Sequence, residues 1–145
     1  MIWKTKIKPK RRHDEADLQC RLMADLDWLL PQDAFAFAVP NGGTRNIIEA
    51  VNLKRQGVKA GVPDIIIVHR GKALGLELKS KNGSLQDSQK ATFPKMRAAG
   101  MRIEVARSLG EAFDLIREMG ITLKSKENTQ LAVRDIFRDA RKGAA

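Results

Sequence analysis

The stretch Gly61-Val62-Pro63-Asp64-Ile65-Ile66-Ile67-Val68-His69-Arg70-Gly71-Lys72-Ala73-Leu74-Gly75-Leu76-Glu77-Leu78-Lys79 decides how this chain folds. Asp64 to Val68 is short, apolar and β-branched, which reads as a strand. His69-Arg70-Gly71-Lys72 reads as a turn, and Ala73 to Lys79 as the returning strand. Side chains alternate along a strand, so Leu74, Leu76 and Leu78 share one face while Gly75, Glu77 and Lys79 share the other. With the turn centred on Arg70-Gly71, Val68 pairs with Ala73 and Asp64 falls opposite Glu77. Like charges facing each other across a strand pair are destabilising, and apolar neighbours raise the cost. Two carboxylates held together in such a place call for a cation. Lys79 is one, on the same face. A divalent ion is the better occupant of the space between the acids, and an oxygen-only ligand set suits Mg²⁺ or Mn²⁺. The plain structural alternative is a strand-edge ion pair, with Lys79 neutralising Glu77 and Asp64 capping the strand.

Working outward, Leu18, Leu22, Leu26 and Leu29 recur at helical spacing from Asp14 until Pro31 stops the helix. Phe35, Phe37 and Val39 alternate with alanines, a strand ending at Pro40, and Asn41-Gly42-Gly43 marks a loop. Residues 44–56 form a second helix with Ile47, Ile48 and Val51 as its apolar positions and Gly57 beyond its end. After the hairpin, Asn82-Gly83 breaks the chain. Residues 86–99 read as a helix that turns Phe93 and Met96 inward, with Pro94 awkward inside it. Arg102 to Ala106 is a strand, and Ser108-x-x-Glu111 is a capping box that opens a helix ending near Gly120. A last helix over 130–142 carries Leu131, Ile136 and Phe137. The order αβαββαβαα predicts one mixed α/β domain. A basic arm over 1–12 precedes a core over 13–122, and a helical extension over 123–145 follows it.

Composition narrows the partner. The 145 residues hold 27 Lys and Arg against 17 Asp and Glu, a net charge of +10. So strong a basic balance favours a polyanion, and nucleic acid is the commonest one. No amphipathic basic helix with aromatic anchors suggests a membrane surface, and no apolar run approaches a bilayer's thickness. The basic N-terminus is followed by no apolar stretch of a secretion signal. Cys20 is the only cysteine, which fits a reducing, cytoplasmic setting and leaves zinc an improbable ligand set. Lys4, Lys6, Lys8, Lys10, Arg11 and Arg12 give the arm much of the excess charge. With Trp3 and Ile7 interleaved, it suits a phosphate backbone, or equally a solvated terminus. Arg45, Lys54, Arg55 and Lys59 flank the loop before the hairpin as further phosphate contacts, each of which also reads as part of a solvated helix face.

Two carboxylates can hold a hydrated Mg²⁺ that polarises a phosphoryl oxygen, and a neighbouring lysine can orient water and stabilise charge on phosphorus. With a polyanionic partner, the reaction this suggests is phosphodiester hydrolysis. Glu15 lies on the apolar face of the first helix, at its first turn. It suits a metal ligand approaching from the helix end, or simply the helix dipole. Gln89 falls on the inward face of its helix, where a buried amide needs a partner: a carboxylate, the lysine, a phosphate or a backbone group.

Taken together and in order, Gly61-Val62-Pro63-Asp64, Glu77-Leu78-Lys79, Gly83 through Gln89 and Ala99-Gly100 resemble the VRR-NUC family of the PD-(D/E)xK nuclease superfamily. Glu15-Ala16-Asp17-Leu18-Gln19 is similar to that family's first-helix segment. Pro40-Asn41-Gly42-Gly43 resembles a loop of its small stand-alone members, which brings Asn41 among the expected DNA contacts. The resemblance spans roughly residues 14–118. It implies a restriction-endonuclease-like fold, a mixed central sheet flanked by helices, and metal-dependent DNA cleavage. By matching positions, Asp64, Glu77 and the backbone carbonyl of Leu78 would be metal ligands and Lys79 the catalytic lysine. Glu15 would complete the acidic site, with Gln89 beside it. Gln86-Asp87, where a small capping residue is usual, and Pro94 both depart from the family's pattern. Stand-alone members resemble Holliday-junction resolvases acting as homodimers, so the expected partner is branched DNA. Flap or ordinary duplex cleavage is the alternative within enzymes, and a catalytically silent DNA-binding module the alternative outside them.

Overall fold

The computed structural model of the protein describes residues 11–40 and 45–125. Eight elements follow the expected order: α1 (Arg11–Leu29), β1 (Ala34–Ala38), α2 (Ile47–Arg55), β2 (Ile65–His69), β3 (Lys72–Leu78), α3 (Asp87–Ala98), β4 (Arg102–Ala106) and α4 (Leu109–Glu118). The helix expected over 130–142 lies outside the described residues. So does most of the basic arm, although α1 begins two residues inside it, at Arg11.

The hairpin is the centre of the sheet. Val68 pairs with Ala73 and Ile65 with Leu76, as the turn-centred register requires. The turn is tighter than the sequence suggests. β2 runs on to His69 and β3 starts at Lys72, leaving only Arg70 and Gly71 between them. Both have positive φ, 47° and 78°. That is the two-residue turn whose twist matches the strands it joins. Arg70 is strained there, and its Nε donates to Asp33 Oδ2 at 2.7 Å, tying the turn to the segment before β1. The strand order is β1-β2-β3-β4. β1, β2 and β3 pair antiparallel, whereas β4 pairs parallel to β3, with α3 as the crossover that a parallel pair needs.

The leucine face of β3 forms the core. Leu74, Leu76 and Leu78 join Ile65 and Ile67 of β2, Leu22 and Leu26 of α1, and Ala112 and Ile116 of α4. The other face packs on α3 through the buried Phe93, with Ile103 and Pro63 beside Gly75. A Cβ at Gly75 would stand 2.6 Å from both Ile103 Cδ1 and Pro63 Cγ, so only glycine lets these pieces meet. The core continues past residue 122: Leu123 packs against it, and the Lys124 N–H donates to Leu29 O at 2.8 Å.

Two apolar patterns face differently from a core assignment. Along β1, Ala34 and Ala36 pack on the core while Phe35 and Phe37 are exposed. α1 lies across this strand, and small side chains allow the close approach. On α2, Ile47, Ile48 and Val51 are exposed and no residue is buried. α2 is held by its own caps instead: Asn46 Oδ1 accepts from the Glu49 N–H at 2.7 Å, and Gly57 takes a positive φ of 95° just past the end. Pro94 sits on the exposed side of α3, where water can satisfy the carbonyl its missing N–H leaves free, so the helix continues through it.

Gly61 brings the loop before β2 against the start of α3. Its φ is +77°, and a Cβ there would fall 2.2 Å from the carbonyl oxygen of Ser88. Gly61→Ala therefore forces both a left-handed alanine and a backbone clash, and should cost at least ~2 kcal/mol. A urea midpoint lowered at unchanged slope would register it.

Candidate active site

Four of the predicted residues meet where β2 begins and β3 ends. Asp64 immediately precedes β2, and its Oδ2 accepts from the Leu78 N–H at 2.9 Å. Glu77 projects from β3 on the face opposite the leucines and is 1% exposed. Its Oε1 receives the Lys79 ammonium at 3.1 Å and the Gln89 side-chain amide at 2.5 Å. Lys79 itself is buried, just beyond the strand end, and its N–H donates to Ala106 O at 3.0 Å.

Gln89 is aimed by the helix that carries it. As the third residue of α3, it accepts the Gln86 N–H on its own Oε1 at 2.9 Å. That is half of a capping box. With the carbonyl end committed, the NH₂ end must point away from the helix start, and it meets Glu77. The departure at Gln86-Asp87 thus leaves the rotation of Gln89 intact, because the backbone N–H of the capping position fixes it.

Glu15 stands at the edge of this group. Its Oε1 accepts the Ser80 N–H at 2.9 Å, and its charge adds to the field that acts on Asp64. Among the described residues, no three His, Cys, Asp or Glu side chains are gathered into a group that could hold a metal ion. The acidic pair is therefore Asp64 with Glu77, and Glu15 is tied to the turn after Lys79.

Burial works against both carboxylates even with the Lys79 ammonium 3.1 Å from Glu77. Burial pushes the Asp64 carboxyl above its ordinary range, against the Leu78 N–H and the Lys79 charge, which act to lower it. Burial likewise pushes Glu77 upward, and the negative charge of Asp64 adds to it. Glu77 Oε2 is buried with no hydrogen-bond partner among the described residues. An orphaned carboxylate oxygen is costly, and beside a second destabilised carboxylate it marks a place that a hard divalent cation fits.

A cleft of about 1160 Å³ opens over these groups, with Glu15, Asp64, Glu77, Lys79 and Gln89 in its lining. Arg45, Lys54 and Lys59 line it as well, so three of the predicted phosphate contacts stand above the acids. Arg55 is exposed on α2 and is not part of that lining. Lys8, Lys10 and Asn41 lie outside the described residues, as do the side chains of Arg11 and Arg12. The sequence reading missed Lys95, which lines the cleft from α3 across from α2. Lys95 lies three residues after Thr92 and seven after Ser88, which also line the cleft, so helical spacing was the available signal.

A mixed sheet that brings Asp64, Glu77 and Lys79 together at its strand ends, beneath a cationic cleft, has the layout of a PD-(D/E)xK-type nuclease core. A family model, the VRR-NUC domain, matches residues 6–109, and the chain belongs to that family. A solved structure described as a VRR_NUC domain protein is 25% identical, with a TM-score of 0.58 over 72% of this chain and 86% of that one. A second, described as a VRR_NUC domain, is 18% identical with a TM-score of 0.50, over 72% of this chain and 95% of the other, and shares the fold. Comparison with curated proteins gives no match. Family membership implies a DNA nuclease, a hydrolase. Among the described residues no helix is long and apolar enough to cross a membrane.

The raised carboxyls have a sign that can be measured. Between the ordinary carboxylate range and the raised one, the folded chain binds more protons than the unfolded chain. The pair's contribution to stability is therefore fullest below the ordinary range and is lost as pH rises through that window. Asp64→Asn keeps an acceptor for the Leu78 N–H and removes the repulsion. In metal-free buffer at pH 7 it should raise Tm by about 3 °C and flatten the decline with pH, as read by thermal denaturation across a pH series.

Proposed function

We propose that this chain is a metal-dependent, structure-selective DNA endonuclease that cuts branched DNA, four-way junctions foremost, as a homodimer. The observation that supports it best is the conjunction at one place of two destabilised carboxylates, a buried lysine and a basic cleft. A phosphate-binding surface gains nothing from paired acids, so a silent binding module does not explain them.

Asp64, Glu77 and the backbone carbonyl of Leu78 would hold Mg²⁺, or Mn²⁺ in its place. Bound there, the ion supplies charge at a phosphoryl oxygen and lowers the pKa of water. The protein's own groups do the rest. Lys79, now shared with Glu77, offers its ammonium to the oxygens on which charge develops and orients the attacking water. Gln89 holds the Glu77 carboxylate in one orientation. Glu15 holds the Ser80 N–H and completes the acidic side of the site. Arg45, Lys54, Lys59 and Lys95 face the phosphate backbone along the cleft, and Lys8, Lys10, Arg11, Arg12, Asn41 and Arg55 extend that contact. Backbone contacts of this kind recognise shape rather than sequence.

Two copies follow from the substrate. One chain carries one site, and symmetric cleavage of a four-way junction needs two sites related by a two-fold axis. The setting for this activity is the cytoplasm, on nucleoid or host-cell DNA.

Cleavage of labelled four-way junctions, flaps and linear duplex, side by side in Mg²⁺, Mn²⁺ or EDTA, tests the reading. Paired symmetric nicks in the junction that vanish in EDTA are expected. Preferential cutting of flaps or duplex would replace the junction assignment, and binding without cleavage in any metal would overturn the enzyme. Lys79→Ala should lower turnover by at least ~10²-fold while leaving DNA affinity within about three-fold, measured by single-turnover cleavage and fluorescence anisotropy.

A further inference from the structure

We propose that Arg107 is a positioning residue of this site: it clamps the turn after Lys79 and through it keeps the lysine's ammonium against Glu77. The inference rests on the nuclease reading. β3 ends at Leu78, so Lys79 stands where a fixed strand gives way to a turn. A lysine head on a flexible stem is only as well placed as the backbone beneath it.

That backbone is held from two sides. The turn is closed by the Gly83 N–H donating to Ser80 O at 3.0 Å. Arg107 Nη1 donates to Ser80 O and to Gly83 O, each at 2.7 Å. These are lengths of charge-assisted bonds, and one nitrogen bridges both ends of the turn. From the opposite side, Glu15 Oε1 accepts the Ser80 N–H at 2.9 Å. The fit leaves no slack: a Cβ at Gly83 would stand 2.9 Å from Ser80 Oγ and 3.1 Å from Glu15 Oε1.

Arg107 is itself anchored. It follows Ala106, whose carbonyl accepts the Lys79 N–H, so the two segments are already joined one residue away. Its own N–H donates to Glu111 Oε2 at 2.7 Å, and the Glu111 N–H donates to Ser108 Oγ at 3.2 Å. The start of α4 thus fixes the residue that fixes the turn: Ser108 caps the helix at the Glu111 N–H, and the Glu111 carboxylate reaches the Arg107 N–H rather than closing the expected capping box on the Ser108 N–H. Position in sequence hides this, because Arg107 lies 28 residues from Lys79 and on a different element.

An exposed arginine near a DNA site has an obvious rival role as a phosphate contact, and the two roles separate experimentally. In single-turnover cleavage by the full chain, Arg107→Ala should lower the cleavage rate at saturating enzyme about ten-fold, with DNA affinity and its salt slope unchanged. Arg107→Lys, which keeps a charged donor for the two carbonyls, should recover most of the rate. Amide hydrogen exchange gives a readout independent of cleavage: Ser80 and Gly83 should exchange faster in Arg107→Ala while the core strands stay protected. If alanine does not fold, Arg107→Gln carries the same comparison. Weakened binding with a shallower salt slope and an unchanged cleavage rate would make Arg107 a phosphate contact and overturn the proposal. Unchanged exchange at Ser80 and Gly83 would also overturn it, even for a wild type that cuts none of the DNA substrates, an outcome that defeats the nuclease reading separately.

Discussion

A buried glutamate and a half-buried aspartate are held close together, and the rest of the site is arranged around that cost. Asp64 and Glu77 are both pushed above their ordinary range, chiefly by burial. Each survives because specific donors reach it: the Leu78 N–H for Asp64, and Lys79 with Gln89 for Glu77. Compensation is incomplete, since Glu77 Oε2 has no partner among the described residues. A fold that leaves this much negative potential uncovered is less stable than one with apolar groups in the same space. The shortfall is what makes the place receptive to a hard cation, so local instability and chemical capacity have one origin.

The elements around the pair each hold one part of it. The hairpin sets the distance between the acids, with a two-residue turn that leaves the strands a single register. The close contact at Gly61 brings α3 near enough for Gln89 to reach Glu77. The parallel strand β4 receives the Lys79 N–H and places Arg107 under the following turn. The leucine face beneath keeps β3 from shifting, because a one-residue slip would carry Glu77 into the core and Leu78 into the cleft. The cleft walls come from α2 and α3, which contribute cations and little core packing on the α2 side.

Much of the site was legible because its residues lie on one hairpin. Strand alternation separated Leu74, Leu76 and Leu78 from Glu77, as observed, and the turn-centred register holds as far as Ile65 with Leu76; Asp64 stands just before that ladder, with its carboxylate on the Leu78 N–H. Helical spacing turned Gln89 inward, as observed. Legibility failed where distance in sequence was large or the local pattern admitted two faces. Glu15 reads as a ligand or a dipole partner, and nothing local in the sequence shows its bond to the Ser80 N–H, 65 residues away. The alternation over 34–38 shows two faces but does not say that the alanines are the inner one. The apolar positions of α2 imply a buried side, and that side is exposed among the described residues.

By itself the sequence determined the hairpin and which of its side chains share a face. Two acids and a lysine on that face also suit a strand-edge ion pair, and it is the ordered resemblance of several segments to one family that pointed to nuclease chemistry. Short-range rules suffice there, since strand geometry fixes which side chains share a face. The tertiary structure decided the rest: which oxygen lacks a partner, which end of Gln89 meets Glu77, which cations line the cleft, and which residues hold the turn after Lys79. Those outcomes depend on contacts between elements remote in the chain, and on burial, which no single segment specifies.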